Sequence, residues 1–128
     1  MLWAMSELFG IGTDVVEISR METMKNREAF LARYFTEAEI AYIRGKNNTA
    51  AQTMAGIYAA KEAATKAMGT GIACPLKDIE VLHRENGLPY YHFSGKAAQL
   101  AGDGKSHLSV SHDGGIAVAF CVIENKEG

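Results

Sequence analysis

Glu62 and Lys66 sit one helical turn apart in the stretch Met54 to Gly71, MAGIYAAKEAATKAMGTG. A carboxylate and an ammonium at that spacing read in two ways. On spacing alone the favoured reading is an exposed ion pair, worth a few tenths of a kcal/mol. The alternative is a metal-binding carboxylate beside a phosphate-binding ammonium. That chemistry needs a second acidic residue from elsewhere in the chain. Asp14, at the end of LFGIGTD, is the candidate. Taken alone, Asp14 reads more readily as the N-cap of a helix beginning at Val15. The two roles are compatible, because a carboxylate at a strand end is also held rigidly.

Ser109, Ser111 and His112 are the other residues with chemical potential. On a strand, Ser111 and His112 point to opposite faces and cannot easily pair as nucleophile and base. No GxSxG elbow is present, so a hydrolytic triad is disfavoured. Hydroxyls and an imidazole beside the glycine turn Asp113-Gly-Gly115 could bind phosphate, and a merely polar strand end is equally plausible. His83 and His92 read as strand-surface residues and His107 as a strand start; none has metal-site spacing. Gly10 and Gly12 lack both the Walker lysine and the Rossmann spacing.

These residues must be positioned by a long helix and a set of strands. Ala, Met, Lys and Glu favour helix from Met54 onward, and Gly69 and Gly71 close it. One face carries Met54, Ile57, Ala64 and Met68 and is expected to be core; another stacks Tyr58, Glu62, Thr65 and Lys66. Upstream, Leu8 to Asp14 reads as a strand whose glycines permit close packing. Ile18 to Arg27 reads as a helix with Arg20, Met24 and Arg27 on it, either a solvated face or a docking surface for an acidic partner. Helix continues through Glu28 to Tyr34. Thr36 with Glu39 forms a capping box for a helix that stops near Gly45. Downstream, Asp78 to Arg84 and Leu88 to Phe93 are strands joined by an Asn86-Gly87 hairpin. A short helix follows over Ser94 to Ala101. Strands then run over His107 to His112 and Ile116 to Glu124. The last is apolar on both faces, so it is expected to be central in the sheet or covered by another subunit. The fold class is α+β: an antiparallel sheet packed against a long central helix and shorter helices.

The chain has 128 residues, which suits a single domain over 1–128. No apolar run reaches membrane-spanning length, and a net charge of −2 offers no general attraction to nucleic acid or lipid. The opening MLWAMSELF lacks signal-peptide features, and Met5 is a possible alternative start. Cys74 and Cys121 form no CxxC and read as reduced thiols of a cytoplasmic protein.

Several motifs occur together. Gly10-Ile-Gly-Thr-Asp14 is followed by Arg20, then Ala60-Lys-Glu-Ala-Ala-Thr-Lys-Ala67, Gly69-Thr-Gly71, Asn86-Gly-Leu-Pro89 and Ser109-Val-Ser-His112. In this order the chain resembles the holo-[acyl-carrier-protein] synthases, the small trimeric branch of the 4′-phosphopantetheinyl transferases. The resemblance runs from about Leu8 to Glu124 and leaves residues 1–6 as an extension. Tyr58 stands where many members carry a different aromatic.

The resemblance implies transfer of 4′-phosphopantetheine from coenzyme A to a serine of an apo acyl-carrier protein, with Mg²⁺, in fatty-acid biosynthesis. It implies Asp14 and Glu62 as metal ligands, and Asp14, Glu62 and Lys66 as catalytic residues. Lys66, Gly69, Ser111 and His112 would bind coenzyme A, and Arg20, Met24 and Arg27 would dock the acidic carrier. The sites would lie between subunits of a homotrimer. Transfer to a secondary-metabolite carrier, a non-catalytic binding module and a metal-dependent phosphoester hydrolase are the alternatives.

Overall fold

Helix α4, Ala50–Met68, is the axis of the molecule. The computed structural model describes residues 6–69, 74–102 and 104–126. Gly71, expected to help close α4, lies outside them. Gly69 caps α4 with φ of 71°, a left-handed conformation that costs glycine nothing. The helix is buried almost all round. Met54, Ile57, Ala64 and Met68 are core as expected, and Ala55, Ala59, Ala60, Ala63 and Ala67 are buried as well. So many methyl-sized side chains let neighbouring backbones approach α4 closely.

The closest neighbour is strand β1, Ser6–Glu17. A Cβ placed on Gly10 would lie 1.8 Å from the carbonyl oxygen of Ala67, and one on Gly12 would lie 1.9 Å from that of Ala63. Only hydrogen fits in those gaps. Strand β1 runs further than the sequence suggests. The helix expected from Val15 begins only at Ile18, as the short α1, Ile18–Glu22. Val15 and Val16 are β-branched and stay extended, paired with Val118 and Ala117. Asp14 is therefore a mid-strand residue opposite Ala119, and Glu17 occupies the N-cap position. The N-cap reading of Asp14 does not hold.

Helix α2, Arg27–Tyr34, is separate from α1. Helix α3, Glu37–Arg44, has the expected capping box of Thr36 and Glu39 and ends at Gly45. A single 3-10 turn at Asn47–Thr49 leads into α4. After α4 come β2, Ile79–His83, and β3, Pro89–Phe93. They pair as a hairpin, then α5, Gly95–Ala101, follows. Strands β4, Ser106–Asp113, and β5, Ile116–Lys126, complete the chain. The architecture is α+β, with two sheets where a single one was expected: β1-β5-β4, all antiparallel, and the β2-β3 hairpin. Strand β5 is central, as its apolar composition requires. Ala117, Ala119, Cys121 and Ile123 face the core. The opposite face stays open and apolar: Phe120 is 47% exposed, Ile11 51% and Val15 58%.

Lys61 makes a contact that the sequence does not signal. The residue before Glu62 is fully buried, as is Glu39, and their charged groups meet at 2.8 Å. Lys61 Nζ also donates to the carbonyls of Leu76 (2.9 Å) and Ile79 (2.8 Å). Glu39 accepts from the backbone N–H of Thr36 and Val81. One ion pair thus joins α3, α4 and the start of β2. Burial nevertheless pushes the Lys61 ammonium below its ordinary pKa, against the pull of Glu39. The pair therefore fixes the arrangement of three elements more than it adds net stability. Lys61→Met, which strands Glu39, is expected to cost about 3–5 kcal/mol in urea unfolding. Combining it with Glu39→Gln should recover part of that loss; a double variant that loses the sum of both singles would show that the two are uncoupled.

Candidate functional site

Strand alternation puts Asp14 on the same side of β1 as Gly10 and Gly12, facing α4. The strand cannot drift away from the helix, so the Asp14 carboxylate stays beside it. Lys66, on the last turn of α4, reaches back across this contact. Its Nζ donates to Asp14 Oδ1 and to the Thr13 carbonyl, each at 3.1 Å. The Asp14 side chain is 18% exposed and that of Lys66 is 56% exposed. The expected helical pair between Glu62 and Lys66 is thus not the contact that forms. Lys66 pairs with the strand.

Glu62 projects into the same place, one turn earlier on α4. Burial and the neighbouring Asp14 carboxylate push its pKa up, while Lys66 and Arg20 pull it down. The site is two crowded carboxylates flanked by two cations. Two carboxylates can hold a hard divalent cation that takes its remaining oxygens from water and phosphate, which is how Mg²⁺ is usually bound. No cluster of three or more acidic, His or Cys side chains occurs among the described residues, so a cation held wholly by protein is not indicated there. Thr65, next to this site, is buried, and its hydroxyl donates to the Glu62 carbonyl at 2.7 Å.

Ser111 and His112 are not brought to this cluster within the chain. His112 is on β4, two strands away from Asp14. Its ring lies over the other side of α4, and a Cβ on Gly56 would come within 3.0 Å of Nε2. There it lines a pocket of about 280 Å³ with Lys46, Gln52, Thr53, Pro89 and Val110. Ser111 points the opposite way, onto the open apolar face beside Val118. Gly69 is exposed at the end of α4, with open space where a Cβ would be.

His83 also lines that pocket, so its reading as a strand-surface residue needs correction. It stacks on Tyr42 with ring centres 3.9 Å apart and planes within 4°. Burial and Lys46 push its pKa down, which keeps it neutral. Lys46 had no signal in the sequence, being one cation in an otherwise polar loop.

Of the expected docking residues, Arg20 is exposed and lies with its guanidinium carbon 5.5 Å from the Tyr58 ring centre. Met24 is half-buried against the core. Arg27 has a structural task, donating to the Met21 carbonyl across the break between α1 and α2.

The family model described as the 4′-phosphopantetheinyl transferase superfamily matches residues 10–121. A holo-[acyl-carrier-protein] synthase of Caldicellulosiruptor saccharolyticus is 41% identical over 123 residues, covering 94% of this chain and 99% of that one. A crystal structure of a holo-(acyl-carrier-protein) synthase from Bacillus anthracis, in complex with CoA (3′,5′-ADP), superposes with a TM-score of 0.79. It is 37% identical and covers 93% of this chain and 98% of its own. The Helicobacter pylori holo-[acyl-carrier-protein] synthase in complex with coenzyme A gives a TM-score of 0.76 at 29% identity, covering 88% and 98%.

The crowding of Glu62 has a measurable consequence. Its folded-state pKa is raised above the ordinary 4.5, so the ionised form is disfavoured in the folded protein. That penalty is fully present at pH values above the folded pKa and absent below the unfolded one. Glu62→Gln is therefore expected to raise the metal-free melting temperature at pH 7, and the gain should close as pH falls below about 4.5. Thermal unfolding in chelator across that range measures it. A Gln variant that is less stable at pH 7 would contradict the crowding.

Proposed function

The chain belongs to the 4′-phosphopantetheinyl transferase superfamily, in its holo-[acyl-carrier-protein] synthase branch, and from that premise we propose how its residues divide the reaction. It is an enzyme that binds coenzyme A and acts on an acyl-carrier protein. The observation that carries the reading is the meeting of Asp14 and Glu62 beside Lys66, because phosphoryl transfer is mostly positioning and charge stabilisation. The carrier serine hydroxyl attacks the phosphorus that bears the pantetheine arm. The bond from that phosphorus to the bridging oxygen breaks, and adenosine 3′,5′-bisphosphate leaves with the electron pair.

Asp14 and Glu62 would hold the Mg²⁺, which when bound offsets the charge that builds on the pyrophosphate. Lys66, now on Asp14, is long and exposed enough to turn toward the same phosphates. An ammonium about 4 Å from a phosphate oxygen gains roughly 4 kcal/mol at an effective dielectric near 20, before desolvation. Glu62, directly or through a metal-bound water, would take the serine proton, and its raised pKa suits that task. Lys46 and His112 would receive the nucleotide end of coenzyme A. In one chain they lie across α4 from Asp14, so the two halves of the site would meet between subunits. The open apolar face around Val15, Val118 and Phe120 supports that assembly, since a second copy would cover it. We propose a homotrimer on this basis, serving a carrier of fatty-acid synthesis. The exposed Arg20, Lys25 and Arg33 on α1, α2 and the segment between them offer cations to that acidic partner.

Mass spectrometry of an apo carrier incubated with the protein, coenzyme A and Mg²⁺ tests the reaction. A phosphopantetheine increment on the carrier is expected. Coenzyme A breakdown without carrier would favour a hydrolase, and binding without turnover a binding module. Asp14→Asn and Glu62→Gln should each keep the fold and lose most activity, Glu62→Gln by about 10²- to 10⁴-fold, the range for removal of a general base. Wild-type turnover and metal dependence in both variants would sink the assignment. Sedimentation at micromolar concentration should give a trimer; a fully active monomer would contradict the shared site.

A further inference from the structure

Tyr58 lies one turn before Glu62 on α4 and is packed on several sides by other rings. Phe30 is 5.2 Å away centre to centre, Phe35 6.4 Å and Tyr34 6.5 Å. The Phe30 ring is itself held by Tyr34 at 4.9 Å and Phe35 at 6.0 Å. A ring gripped in this way has little freedom to turn. What it leaves open is occupied by Arg20. The guanidinium carbon sits 5.5 Å from the ring centre, within cation–π range. The Arg20 charge beside the ring works against the upward push of burial on the phenol. Burial and the Glu62 charge raise the pKa of that phenol.

Arginine on a short exposed helix would ordinarily be spread over many rotamers. Here it has one platform, and the platform stands beside the site. We propose that Tyr58 is a positioning residue for carrier recognition: it holds the Arg20 guanidinium pre-oriented at the mouth of the Asp14–Glu62 site, ready for an acidic side chain of the incoming carrier. This rests on the reading of Arg20 as a docking residue. It goes further by naming what orients Arg20 and by predicting that the two residues act as one unit. Arg27 cannot substitute for the pair, because its guanidinium already holds the Met21 carbonyl. Pre-orientation matters because an ordered side chain loses less freedom when its partner arrives.

A double-mutant cycle tests the proposal. The apparent KM for apo carrier and for coenzyme A would be measured for the wild type, Tyr58→Leu, Tyr58→Phe and Arg20→Ala, and for each Tyr58 change combined with Arg20→Ala. Tyr58→Leu is expected to raise the carrier KM about three- to tenfold, the scale of re-ordering one long side chain on binding. The coenzyme A KM should not follow it. Tyr58→Phe keeps the ring and loses the hydroxyl, so its effect should be smaller. In the Arg20→Ala background neither change should matter. Titration of each variant with a carrier whose acceptor serine is alanine should give the same pattern in binding alone. If Tyr58→Leu unfolds, the Tyr58→Phe cycle decides the question. Equal effects with and without Arg20, or an unmoved carrier KM in both Tyr58 variants, would overturn the proposal. A wild-type protein that never modifies any apo carrier would overturn the proposed function as well. A working transferase with silent Tyr58 variants overturns this inference alone.

Discussion

The contact between the backbones of β1 and α4 is the constraint on which the rest depends. Gly10 and Gly12 have no side chain because the carbonyl oxygens of Ala67 and Ala63 occupy that space. An added methyl group would push the strand off the helix by more than any side-chain adjustment can absorb. Strand position then sets the position of Asp14, two residues after Gly12 on the same face. Helix position sets Glu62 and Lys66. The site is thus built where two rigid elements touch, and no loop conformation has to be chosen to bring its carboxylates together. Such placement suits chemistry in which alignment carries much of the rate.

The consecutive residues Lys61 and Glu62 divide the labour of α4. One turns inward to a buried ion pair; the next turns outward to the site. The inward pair ties α3 and the start of β2 to the same helix that carries the chemistry. Charge is an expensive way to join elements in a core, because desolvation takes back much of what Coulomb attraction gives. It is also a selective way, since only one register of α3 on α4 satisfies all the donors and acceptors. The aromatic cluster around Tyr58 packs beside that pair, with the Lys61 ammonium 5.4 Å from the Phe35 ring centre and the Arg20 guanidinium over Tyr58.

Much of this was legible in the residues. Thr36 and Glu39 announced their capping box, Asn86-Gly87 its hairpin, and Gly69 its helix end. The apolar run of β5 announced a central strand. These are local signals, and local physics produces them. Asp14 was misread as an N-cap because helix propensity in Ile18 to Lys25 blurred the boundary. Pairing with β5, a partner more than a hundred residues on, holds Val15 to Glu17 extended. Lys61 carries no local signal of its burial, since nothing near it in the sequence says that Glu39 will face it. The split between His112 and the carboxylates was equally hidden. It follows from strand order, which alternation of residues does not encode. Motif order did bring the family forward, and through it the residues that one helix and two strands carry.

Strand order has a consequence for how the protein comes into being. Strand β5 lies between β1 and β4, and the pairing begins with Ser6 opposite Lys126. On the ribosome the keystone of the sheet is therefore made last. At about 5–20 residues per second, β1 waits roughly 5–20 s for β5, its sheet partner among the described residues. During that wait β1 can settle on α4 through its glycine face, but its hydrogen-bonding edge toward β5 has no partner. The nascent chain can form its helices and the β2-β3 hairpin early, since those contacts are local. The sheet that holds Val15 to Glu17 extended forms only when β5 arrives. The sheet's exposure to misassembly is concentrated in the interval before β5 is made.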